Sequence, residues 1–344
     1  MKALLLEGYN QFVYIDLPEP AVGPDDVLVR VEACGICGSD IHGIDGSSGR
    51  RIPPVIMGHE AAGVIAEVGR SVETWHAGDR ITFDSTIYCG ACSFCQQGRI
   101  NLCESRRVLG VSCPDYRQDG AFAEYVAVPK HIVYRLPDAL SFEQATMIEA
   151  LSIAFHAVGR STSLRPDDTV VVIGVGMIGL LVVQSLRAAG GCRIIAVDLD
   201  QRRLDLACRL GANEGLHADA IDVAQRVLEM TQGRGADLAF EVVGVEPTVG
   251  LAVQCLRKGG TVTLVGNLSP TVPFPLQSVV TREIALFGSC ASSGEYPACL
   301  DMVERGIIDV DALISAVAPL AEGATWFQRL YEGEPGLMKV ILKP

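Results

Sequence analysis

Residues 169–198 leave this chain little conformational choice. They read as an apolar strand (TVVVIG, 169–174), a glycine-rich turn (GVGMIG, 174–179), a helix to about 189 and a second apolar strand (RIIAVD, 193–198). Strands without polar alternation are buried on both faces, and strands joined through helices lie parallel. The series continues with a helix starting near Gln201, then ADLAFEVVG (236–244), GTVTLVG (260–266) and EIALFGS (283–289). The fold class read from this is α/β, with a doubly wound parallel sheet over about 151–290.

The turn itself is G-x-G-x-x-G, formed by Gly174, Gly176 and Gly179. Such a hexamer is weak evidence alone, because ordinary turns also contain it. Here a strand precedes it, a helix follows, and Asp198 ends the next strand. That context matches a dinucleotide site. The first glycine permits a tight turn, the second lets the backbone approach a pyrophosphate, and the third lets helix and strand pack closely. The phosphates would sit at the helix N-terminus. A carboxylate at Asp198 accepts ribose hydroxyls and repels a 2′-phosphate, so NAD is expected over NADP. Arg202 and Arg203 pull the other way, since an arginine can hold a 2′-phosphate; a solvated helix face is the preferred reading of both. Arg203 stays a candidate cofactor contact.

Residues 1–150 differ in texture. Short β-type runs such as VLVRVEA (27–33) and AAGVIAEVG (61–69), separated by turn residues, read as an all-β unit. The tightly spaced cysteines lie here. Cys89, Cys92, Cys95 and Cys103 form C-x2-C-x2-C-x7-C, which suits a tetrahedral four-thiolate zinc site. An iron–sulfur cluster competes for this spacing, but the long last gap and the missing Cys-Pro favour zinc. Four protein ligands leave no position for a substrate, so the site reads as structural. A second, dispersed set comprises CGSDIH (37–42) and GHE (58–60). Catalytic zinc needs about three protein ligands and an open position; Cys37, His59 and one carboxylate would supply them, with Glu60 adjacent. A lone histidine would be better read as structural. Cys34 reads as a buried thiol at a strand end. The tail carries a helix near 295–305 and a closing strand, MKVILKP.

Composition narrows the partners. Lys plus Arg number 28 against 41 Asp plus Glu, a net charge of −13 that repels phosphate backbones and anionic lipid. Nucleic acid and membrane are therefore not expected. The longest apolar stretch, Thr169–Val183, is broken by glycines and is shorter than the ~20 residues of a membrane span. With no secretory pattern in MKALLLEGYN, a cytoplasmic location is expected, and clustered cysteines in that compartment point to metal rather than disulfides.

CGICGSDIH (34–42), GHEAAGVIAEVG (58–69), GDR (78–80), the cysteine lobe, GAFAEY (120–125), GVGMIG and LRKGGTVTLVG (256–266) together resemble the zinc-containing medium-chain dehydrogenase/reductase superfamily, over essentially the whole chain. The polyol (sorbitol) and threonine dehydrogenase branch is most similar. The resemblance implies a GroES-like catalytic domain of residues 1–150 with a C-terminal return over 291–344, and a Rossmann domain over 151–290. It implies a homodimer or homotetramer, NAD, and two zinc ions per subunit. It makes Cys37 and His59 ligands of the catalytic zinc, with Glu60 at or beside the metal. Glu149, in MIEALSIAFHAV (147–158), matches a further glutamate of the polyol branch, which makes it a candidate ligand of the catalytic zinc beside Glu60; an acid stabilised at a helix N-terminus is the competing reading. Ser39 and His42 match proton-relay positions, and Asp40 an orienting one.

Two departures bear on the substrate. Sorbitol-type enzymes place an aromatic after the relay histidine, where this chain has Gly43. They carry an arginine where Ala291 aligns. Both family residues contact polyol hydroxyls, so a different hydroxylated small molecule is expected, with Ser292, Ser293 and Glu295 as candidates for the pocket wall or for loop capping. The expected reaction is reversible NAD-linked oxidation of a secondary alcohol in a polyol, sugar acid or sugar phosphate. Amino-alcohol oxidation of the threonine type is one alternative, and a non-catalytic NAD-binding protein on the same scaffold is another.

Overall fold

The β-type runs 27–33 and 61–69 meet in one mainly antiparallel sheet in a computed structural model that describes residues 1–161 and 164–344. Asp26–Gly35 is its central strand. It pairs with Glu60–Val68 and Tyr125–Pro129, and its C-terminal end pairs with Lys339–Lys343. Arg80–Phe83 and Val133–Arg135 extend one side, and Ile314–Pro319 lies parallel to Lys339–Lys343 on the other. Leu4, Val29, Met57, Ile81, Phe122, Phe327 and Leu342 belong to one apolar core. The C-terminal strand is thus an integral part of this sheet, and burial of Val340, Ile341 and Leu342 holds it there. The whole unit comprises Met1–Glu149, Ser293–Gly306 and Val310–Pro344.

The second unit, Ala150–Ser292 with Ile307–Asp309, contains the parallel sheet. Its strand order is Glu214–His217, Arg193–Asp198, Thr169–Ile173, Ala236–Glu241, Leu256–Leu264, Ala285–Gly288. Every pairing is parallel. The fold is the expected α/β: a GroES-like β-rich unit and a Rossmann-type parallel sheet. The chain order reverses between Thr169–Ile173 and Ala236–Glu241, the switch point where open α/β sheets bind ligands. The strand Glu214–His217 has no clear apolar run, which is why sequence patterning passes over it.

Candidate metal and dinucleotide sites

The central strand of the first unit ends at Gly35, and the chain turns into a short helix, Gly38–Ile41, capped by Cys37. His59 and Glu60 open the neighbouring strand, whose Glu60 pairs with Gly35. This geometry gathers one donor atom each from Cys37, His59 and Glu60 within 4.8 Å of one another. Ser39 Oγ lies 3.3 Å from Cys37 Sγ and 3.5 Å from His59 Nε2. Asp40 is fully buried: it accepts from the Cys37 backbone N–H (3.3 Å), and its Oδ1 lies 3.4 Å from His59 Nδ1. Burial works against a charged His59, yet the adjacent Asp40 carboxylate and the Cys37 side chain raise its pKa well above the ordinary value. A soft sulfur, an imidazole and a carboxylate in a pocket that draws positive charge fit a zinc ion with an open fourth position. His42, the other relay candidate, is exposed at the end of the short helix.

Glu149 is buried and accepts a hydrogen bond from Ser85 Oγ at 3.1 Å. It is not one of the three converging donors. Burial pushes its carboxyl up to about 7; His59 opposes this, and Glu60 and Asp84 add to it.

Two residues that sequence reasoning passed over complete the site. Lys339, from the C-terminal strand, is fully buried and forms an ion pair with Glu60, donating also to the Ile36 carbonyl at 3.0 Å. The two side chains meet across Gly35, where an added Cβ would lie 2.6 Å from Glu60 Oε2 and 3.3 Å from Lys339 Cδ. Arg51 contacts Asp40 and Ser39. A lysine in phase with a fully apolar strand was the one available hint of the first; nothing local marks the second.

The four cysteines converge as well. All four Sγ atoms lie within 4.8 Å of one another. Tetrahedral zinc with Zn–S of about 2.3 Å sets sulfurs about 3.8 Å apart, and Cys89 and Cys95 stand 4.0 Å apart. Backbone N–H groups of Ala91 and Cys92 point at Cys89 Sγ, and that of Cys89 points at Cys103 Sγ. Such donors favour thiolate; those of Cys95 and Glu104 bring Cys92 down to about 6. Ser293 pins this lobe, donating to the Gly98 carbonyl (2.7 Å) and accepting from Ile100 N–H (3.2 Å). The Ser293 N–H in turn bonds to Glu295. These two residues therefore do the loop-capping work that was one of their two readings. Cys34 is buried, as expected of a thiol at a strand end.

In the second unit the glycine turn caps the helix Met177–Ala189. Gly174 has φ +85°, open to glycine at little cost. An added Cβ at Gly179 would fall under 3.0 Å from the Gly174 carbonyl oxygen, whereas one at Gly176 would meet nothing within 4 Å. The open space at Gly176, before a helix N-terminus without a side-chain cap, fits a pyrophosphate. Asp198 accepts from the N–H groups of Val175 (2.8 Å), Leu199 (2.8 Å) and Asp200 (3.0 Å). Of a carboxylate's roughly four acceptor positions, these leave capacity for a ribose hydroxyl. Arg202 is committed to Asp200, while Arg203 is exposed and stands 3.9 Å from Asp198.

Comparison with known proteins agrees with this geometry. Residues 23–138 match the alcohol dehydrogenase GroES-like domain and residues 177–305 the zinc-binding dehydrogenase domain. A sorbitol dehydrogenase of Bacillus subtilis is 33% identical over 348 residues, covering 100% of this chain and 97% of the relative. A D-arabitol-phosphate dehydrogenase of Enterococcus avium is 35% identical, covering 98% and 95%. A putative zinc-binding dehydrogenase of Sinorhizobium meliloti, solved with NADP bound, superposes with a TM-score of 0.90 at 34% identity, covering 100% and 99%. The chain belongs to the zinc-binding alcohol dehydrogenase family, in its polyol dehydrogenase branch, and is an oxidoreductase.

Proposed function

We propose that the enzyme interconverts a secondary hydroxyl of a polyol, sugar acid or sugar phosphate and its ketone, using NAD and a zinc ion held by Cys37, His59 and a carboxylate. The convergence of those donors carries the reading. Zinc, when bound, acts as a Lewis acid that eases loss of the hydroxyl proton. NAD, held at the Gly174–Gly179 turn, would supply the hydride acceptor. The remaining work belongs to this chain. Ser39 Oγ, beside Cys37 and His59, is placed to take the hydroxyl proton, and exposed His42 suits its delivery to solvent. Lys339 holds one oxygen of Glu60, Oε2, so Glu60 can serve as the third protein ligand through Oε1 without leaving Lys339; Glu149, held by Ser85 through Oε1, is the other carboxylate that could serve. Cys89, Cys92, Cys95 and Cys103 would hold a second, structural zinc.

The substrate class follows the relatives in part, since one acts on a polyol and another on a sugar-alcohol phosphate. Gly43 and Ala291 argue against sorbitol itself. Asp198 supports NAD over the NADP bound by the Sinorhizobium relative. The edge strand Ala285–Gly288, with Leu276, Val280 and Leu286 exposed beside it, supports a homodimer in which two edges meet, as such or within a homotetramer. Twelve cysteines, four of them gathered in one metal-type cluster, suit the reducing cytoplasm.

The test is NADH formation across polyols, sugar acids, sugar phosphates, threonine and simple secondary alcohols, with metal analysis and a chelator-treated control. The expected result is two zinc ions per chain and a chelator-sensitive polyol-class substrate. Undiminished turnover by a zinc-free Cys37→Ala variant would sink the mechanism.

A further inference from the structure

Arg51 has no part in the chemistry above, yet it is only 3% exposed. A buried guanidinium is costly unless its donors are satisfied and its charge is paired. Here they are. Nε and Nη2 both donate to Asp40 Oδ1, at 3.2 and 2.8 Å, and Nη1 donates to the Arg50 carbonyl at 2.9 Å. Nη2 also reaches Ser39 Oγ at 3.4 Å. Asp40 is the hub of this group, touching the Cys37 backbone N–H and the His59 ring.

The room for Arg51 comes from Gly43. A Cβ there would overlap Arg51 Cγ and would lie 3.2 Å from the Ser39 carbonyl oxygen. Gly43 is not among the glycines with positive φ, so space rather than backbone conformation requires a glycine. The position that carries an aromatic in sorbitol-type enzymes is thus closed to any side chain while Arg51 lies where it does.

We propose that Gly43 and Arg51 act as a pair: Gly43 admits Arg51, and Arg51 is a positioning residue that fixes Asp40, and through Asp40 the His59 ring and the turn bearing Cys37, in the geometry that binds the ion. This rests on the zinc reading of the Cys37–His59–Glu60 site. Outer partners of metal ligands typically alter metal affinity by about 10–100-fold when lost, and Arg51 acts one contact further out.

The experiment follows zinc release from the full-length protein to a chromogenic chelator. Wild-type protein should release two ions in two phases, and the phase missing from Cys37→Ser marks the site in question. Absence of that phase in wild type refutes the zinc reading itself, separately from the Arg51 proposal. Arg51→Met should speed that phase severalfold, up to about tenfold, and leave the cysteine-lobe phase unchanged. Gly43→Ala, which retains the arginine but takes its space, should reproduce the effect. Arg51→Lys, with charge but no planar fork, should fall between. In an Asp40→Asn background Arg51→Met should change release far less. Equal acceleration of both phases would mean general loosening of the fold and overturn the proposal, as would no change in Arg51→Met. A normal Gly43→Ala beside an impaired Arg51→Met would overturn the pairing.

Discussion

The three glycines of the turn are needed for different reasons, and substitution separates them. At Gly176 the backbone (φ −67°, ψ −165°) suits any residue, and an added methyl meets no protein atom within 4 Å. Gly176→Ala should therefore unfold within about 1 kcal/mol of wild type, the entropic gain of alanine offsetting its poorer N-capping. The methyl instead stands in the space assigned to pyrophosphate. A clash or displaced phosphate costing about 1.5–3 kcal/mol weakens NAD binding roughly 10–150-fold. At Gly179 the methyl meets the Gly174 carbonyl oxygen, which is backbone and can yield only by opening the turn. Gly179→Ala should lose about 1–3 kcal/mol of stability and NAD affinity together. Calorimetric titration with NAD and denaturant unfolding read the two quantities separately. Wild-type NAD affinity in Gly176→Ala would refute the placement of the phosphates, whatever the stability result.

Other perturbations address the first unit and the nucleotide ribose. Lys339→Met strands a fully buried Glu60 carboxylate and should cost about 3–5 kcal/mol in denaturant unfolding of metal-stripped protein; the double variant with Glu60→Gln should recover most of it, and an unaltered single variant would contradict the pairing. Asp198→Asn removes the charge facing a 2′-phosphate and should raise the NADP-to-NAD affinity ratio tenfold or more, about 1.4 kcal/mol, read by titration with both nucleotides. Glu149, pushed up to about 7 from 4.5, keeps a proton in the folded state that the unfolded chain has lost. Its burial therefore costs nothing below about pH 4.5, a growing amount above it, and a constant amount past pH 7. In metal-stripped protein Glu149→Gln should stabilise by about 3 kcal/mol at pH 8 and hardly at all at pH 4; a gain independent of pH would refute the titration.

The fold was legible where patterning is local. TVVVIG and RIIAVD became Thr169–Ile173 and Arg193–Asp198, and the helix between them runs Met177–Ala189 as its periodicity required. Glu214–His217 was not legible, because a four-residue strand with one buried leucine has no period to detect. The cysteine lobe was readable because its four donors lie within fifteen residues. The role of Lys339 was not, since its partner is 279 residues away and the contact exists only because two strands flank a side-chain-free Gly35. Ser293 was visible as polar, but only the fold could say that it serves the cysteine lobe.

Those distant cations bear on how the proposed metal site would work. Cys37, Asp40 and Glu60 bring three negative charges, with His59 neutral as a ligand, and Arg51 and Lys339 bring two positive ones, leaving −1. A bound dication would turn this to +1, a field in which a substrate hydroxyl would give up its proton more readily. Without Arg51 and Lys339 the same donors would total −3 and hold a dication more tightly, but the loaded site would then be −1 and would keep the proton on the hydroxyl. With the proposed zinc bound, the two buried cations would shift the site from maximal metal affinity towards deprotonating its substrate, which local sequence motifs, naming donors only, cannot express.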